Sequence, residues 1–85
     1  MQSKATIIEA LKFVLIESVR NYRYYNNRFD HEQRPQARAL AKRYLKSAYH
    51  TFEAIIELQL SPLTTYDQLK EQLYSELDQR LAYYD

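Results

Sequence analysis

Apolar residues return at steps of three and four through three stretches of the chain, and short polar breaks separate the stretches. In the first, Ile8, Leu11, Leu15, Val19 and Tyr22 fall on one face of a helix, because 3.6 residues complete a turn. The pattern predicts a helix over about 4–26. Ser3 or Thr6 can cap its start, and Thr6 with Glu9 has capping-box spacing. Asn26-Asn27 reads as its stop, since asparagine tolerates the left-handed conformation at helix ends. Ile7, Phe13, Val14 and Ile16 widen the apolar stripe well past an ordinary amphipathic face. A helix apolar on most sides must be covered on most sides. That points to a homodimer burying this helix, with Phe13, Ile16 and Val19 as the candidate contact. A central helix sandwiched by the other two is the alternative.

A second helix is predicted over about 35–60. Pro35 suits the first helical position, where its missing N–H has no partner to lose; a start capped by Asp30 is the alternative. Ala37, Ala41, Tyr44, Leu45, Ala48, Phe52, Ile55 and Ile56 mark the inward face. Ser61-Pro62 ends the segment, because the residue before proline avoids the α region. A third helix is predicted over about 65–84. Thr65 with Gln68 has capping-box spacing, and Leu69, Leu73, Leu77 and Leu81 form an i, i+4 ladder. A competing start places Ser61 as the cap and Pro62 at the first position. Short connections between long helices imply antiparallel neighbours. The expectation is therefore one all-α domain spanning 1–85: a small antiparallel three-helix bundle, up-down-up, that dimerises.

Composition narrows the function more than it widens it. The 85 residues include no glycine and no cysteine. Without glycine there is no phosphate-cradling loop or dinucleotide fingerprint. Without cysteine there is no disulfide or thiolate metal site. A chain of this size is marginally stable unless tight helix packing or self-association helps. The longest apolar run near the start is Phe13-Val14-Leu15-Ile16, far short of the about 20 residues that cross a bilayer. Glu9 and Lys12 interrupt any signal-peptide core. The chain reads as cytoplasmic, with no membrane partner.

The formal net charge of +1 hides an asymmetry. Residues 1–50 hold ten basic and four acidic side chains, net +6, and residues 51–85 hold two basic and seven acidic, net −5. Helix 2 carries its bases near its start and its acids near its end, against the macrodipole, at roughly 0.3–1 kcal/mol per exposed charge. One explanation is internal: Glu76, Asp78 and Asp85 of an antiparallel helix 3 would lie beside Arg38, Lys42 and Arg43. The other is an acidic partner.

The most distinctive local stretch is Tyr22-Arg23-Tyr24-Tyr25-Asn26-Asn27-Arg28-Phe29. Basic residues interleaved with aromatics suit a protein hot spot or single-stranded nucleic acid. In an antiparallel bundle Arg34, Arg38, Tyr83 and Tyr84 would join it at one pole. The candidate partner-binding residues are therefore Arg23, Tyr24, Tyr25, Arg28, Arg34, Arg38, Tyr83 and Tyr84. The bland alternative is that these rings close off the core with their hydroxyls in water.

His50, Glu53 and Glu57 share a helix face, but this spacing more often marks a solvated surface than a metal site. Ser47, Thr51 and His50 do not make a nucleophile with an oriented base. No catalytic residue, cofactor or metal is expected. The reading is a non-enzymatic protein-interaction module, an adaptor, inhibitor or small regulator, that binds another protein and itself. A nucleic-acid-binding accessory protein is the alternative, weakened by the acidic third helix.

Overall fold

The computed structural model describes residues 3–32 and 34–84, with side chains described for all of these except 29–32. They form three helices, α1 (Lys4–Glu32), α2 (Pro35–Gln59) and α3 (Tyr66–Ala82), packed together as a helical bundle. No strand occurs among the described residues, and no helix there is long and apolar enough to cross a membrane.

The helix ends follow local chemistry with one exception. Ser3 caps α1: its hydroxyl accepts the Thr6 N–H at 3.2 Å, and its carbonyl accepts the Ile7 N–H at 3.1 Å. Pro35 opens α2 as its first residue, after an extended Arg34. Thr65 and Gln68 cap α3 reciprocally, each side chain accepting the other's backbone N–H at 3.3 and 3.1 Å. The exception is Asn26-Asn27, which does not stop α1; the helix runs on to Glu32. Asparagine inside a helix costs only about 0.7 kcal/mol relative to alanine. Tertiary packing offsets that cost here, because Tyr25 stacks flat against Tyr44 of α2, with centroids 5.7 Å apart and an interplanar angle of 2°. A further Arg28–Tyr24 hydrogen bond of 3.1 Å spans one turn across the two asparagines.

Two different seams hold the bundle. Along the first, α1 and α2 approach closely through most of their length. Ala37, Ala41 and Ala48 are buried there, and Ser18, also buried, meets Ser47 hydroxyl to hydroxyl at 3.2 Å. Small side chains let helix axes come near the short end of the usual 8–10 Å range, roughly. Along the second, α3 sits farther from both partners, spaced by Leu69, Leu73, Leu77 and Leu81, all four buried. Leu15, Ile55 and Ile56 lie at the centre, almost wholly removed from water. Each such side chain contributes about 1.5–3 kcal/mol by burial.

The helices differ in length, and this shapes the molecule. At about 1.5 Å per residue, α1 is about 43 Å long, most of the 47 Å longest dimension. α3 has only 17 residues, and just past its end Tyr84 meets Arg20, whose guanidinium lies 4.0 Å from the ring centroid. Beyond Arg20, α1 and α2 continue together as a two-helix arm about 18 Å long.

Candidate functional site

The expected binding residues fall into two groups rather than one pole. At the arm, Tyr25 stacks on Tyr44 while Tyr24 meets Tyr25 edge-on, 5.1 Å between centroids at 81°. Arg28, one helical turn on, donates to the Tyr24 hydroxyl at 3.1 Å and lies 5.6 Å from that ring. A shallow cleft of about 130 Å³ joins Tyr25 and Arg28 to Arg34, Ala37 and Leu40. Arg23 and Arg38 are exposed on the same arm. None of these four arginines is free; each engages a neighbour within the chain. The side chain of Phe29, part of the same stretch, lies outside the described residues.

Tyr83 and Tyr84 belong elsewhere. They border a cleft of about 260 Å³ with Phe13, Ile16, Gln79 and Arg80, at the base of the arm rather than its end. The reason is length: α3 is too short to follow α1 to the turn. Tyr44 is the residue that sequence reasoning placed only in the core. Its ring orders the arm cluster, and its signal was the tyrosine itself, an amphipathic side chain on an otherwise alanine-lined face.

The expected dimer contact is also rearranged. Ile16 is buried, at 4% exposure, and Val19 packs against the core. Of the three residues only Phe13 remains largely open, at 61%. The end of α3 covers Ile16, so part of the apolar girth of α1 is met within one chain.

The charge asymmetry is not resolved as an internal pairing would have it. Glu76 binds Lys12 at 2.9 Å and Arg80 at 2.8 Å, and Arg80 also holds Glu9 at 3.1 Å. This network fastens α3 to α1, not to the bases of α2. The Arg80 hydrogen bond holds the Glu9 carboxyl below its ordinary pKa, and the same bond pushes the Arg80 guanidinium up. Among the described residues Asp78 makes no ion pair, and neither do the exposed Lys42, Arg43 and Lys46. Asp85 lies outside the described residues. Beyond Arg20, which pairs with Glu17 at 3.2 Å, the sequence from 21 to 46 holds seven basic residues against two acids, Asp30 and Glu32, so this segment carries a positive excess.

A third feature lies between α2 and α3. A cleft of about 300 Å³ has Leu15, Val19, Ala48, Phe52 and Leu77 among its lining, with Tyr49, Tyr66 and Tyr74 around it and Glu53 and Lys70 at its lip. Phe52 and Tyr74 are in ring contact at 4.9 Å. The Tyr66 hydroxyl donates to the Glu53 carboxylate at 2.6 Å. Glu53 is thereby engaged with α3, while His50 and Glu57 beside it are exposed. Among the described residues no three His, Asp or Glu side chains converge as metal ligands would. Compared with protein-family models, with curated proteins and with solved structures, the chain matches none.

Proposed function

We propose that the protein is a non-enzymatic interaction module that docks another protein through its arm and works as a cytoplasmic homodimer of up-down-up, alternately antiparallel bundles. The helix order is supported by the direction of the contacts. Going up α1, the partners on α2 descend: Ser18 meets Ser47 and Tyr25 meets Tyr44. Going up α1, the partners on α3 and just past its end ascend: Lys12 meets Glu76 and Arg20 meets Tyr84.

The observation that carries the docking role is the ordered cluster of Tyr24, Tyr25 and Arg28 on an arm with a positive excess. Its rings are already held by Tyr44 and by one another, so little side-chain freedom remains to be lost on binding. Tyr and Arg are the residues that most often dominate binding energy at protein contacts, and the arm's charge favours an acidic partner surface. The same excess favours phosphates, which is the specific ground for the nucleic-acid reading.

One experiment separates the two. A photo-crosslinking amino acid replaces Tyr24, and adducts formed in the native host are digested with protease or with nuclease. The expected result is a discrete, protease-sensitive adduct that Arg28→Glu abolishes while the helical circular-dichroism signal is unchanged. A nuclease-sensitive adduct transfers the role to nucleic acid. No adduct, or one indifferent to Arg28→Glu, removes the arm as the docking surface.

A further inference from the structure

The turn between α2 and α3 holds an apolar residue out in water by a dense set of bonds. Leu60 leaves α2 in extended conformation, its N–H returning to the Glu57 carbonyl at 3.4 Å. Pro62 has its φ locked by its ring. The Ser61 hydroxyl accepts the Leu63 N–H at 3.3 Å and reaches the Thr64 hydroxyl at 3.3 Å. The Thr64 N–H bonds the Ser61 carbonyl at 3.2 Å, and the capping box of Thr65 follows at once. Within this rigid turn Leu63 is 93% exposed and Leu60 46%. An apolar side chain displayed on a braced backbone is pre-organised for insertion, since little is left to be ordered.

Three residues further on, Tyr66 borders the 300 Å³ cleft between α2 and α3. A projecting leucine and an apolar recess thus share one edge of the molecule. Leu63 does not fill the recess of its own chain: it is exposed and is not among the residues that line the cleft. The lip of the recess carries one acid, Glu53, and one base, Lys70. Lys70 is half-buried, 6.0 Å from the Tyr74 ring, and no carboxylate among the described residues pairs with it.

We propose that Leu63 inserts into the α2–α3 cleft of a second copy of this chain, reciprocally about a twofold axis, with Glu53 of each copy facing Lys70 of the other. Such an exchange is closed, because the same patch serves as knob and recess on both subunits. It also gives each lip charge an opposite partner, which fixes register. The proposal rests on the reading that the protein self-associates, and it moves the contact from Phe13, between α1 and α3, to the seam between α2 and α3.

Sedimentation of the full chain across a concentration series tests it. The wild type is expected to show a concentration-dependent dimer. Leu63→Asp is expected to raise the dimer dissociation constant by about thirtyfold or more, the scale of a buried anchor residue. Its melting behaviour at low concentration stays unchanged, because Leu63 packs against almost nothing in its own chain. Lys70→Glu and Glu53→Lys each weaken the dimer, and the double variant recovers it. A dimer indifferent to Leu63→Asp overturns this contact and leaves the self-association reading standing. A wild type that stays monomeric overturns both.

Discussion

Tyr66 begins α3 and donates to Glu53 of α2 at 2.6 Å. The bond holds the phenol's pKa above the usual tyrosine range, because ionising it would set a phenolate against a carboxylate. The sign of the linkage follows. A raised folded-state pKa adds stability that is fully present below the unfolded value, about 10 for tyrosine, and is lost as pH rises through the folded value. Tyr66→Phe is therefore expected to flatten the alkaline fall in melting temperature. In a spectrophotometric titration it should also remove one phenol ionisation above the usual tyrosine range. An unchanged alkaline limb would show that the bond does not persist in solution. At the same scale, Ser18 is the one polar residue among the described buried ones, and it is tolerated because Ser47 meets its hydroxyl.

At the scale of elements, the three helices are held by unlike means. α3 has the strongest local start, a complete capping box with Asp67 in the first turn and Arg80 in the last, both favourable to the helix dipole. Thr65→Ala is expected to cost about 1 kcal/mol, read as a lower urea midpoint at unchanged slope. Gln68 then loses the N–H acceptor that Thr65 supplied. A change within experimental scatter would mean that the leucine ladder alone sets the end of α3. α2 has the weakest local start, with no side-chain cap on Arg34, and depends on its alanine face. α1 is capped by Ser3 and packs along the alanine face of α2. Its last turns persist through two asparagines because Tyr25 is stacked on α2.

At the scale of the whole molecule, ion pairs join elements that also share the core. Lys12, Glu9, Glu76 and Arg80 tie α3 to α1. Glu9 has its carboxyl pKa lowered, chiefly by the Arg80 hydrogen bond. A lowered folded-state pKa adds stability above the unfolded value, about 4.3 for glutamate, and that stability is lost as pH falls through the folded value. Melting curves from neutral to acid pH should fall less steeply for Glu9→Gln than for the wild type. Identical slopes would mean that water already screens this exposed pair. The helices, the candidate starts of all three and the leucine ladder were legible from spacing alone, because the 3.6-residue period and the capping chemistry are local. The placement of the site was not. Tyr24, Tyr25 and Arg28 lie together because they share two turns of α1, and one cleft joins Tyr25 and Arg28 to Arg34. Tyr83 and Tyr84 do not reach them, because the relative lengths of α1 and α3 decide where α3 ends. The sequence by itself determined an all-helical chain with a basic first half and an acidic second. Only the tertiary structure decided that Ile16 is covered, that Glu76 turns to Lys12 of α1 rather than to α2, and that Leu63 stands out beside a recess. Each of these is a relation between surfaces brought together by packing, and no periodicity along a chain encodes which surfaces those are.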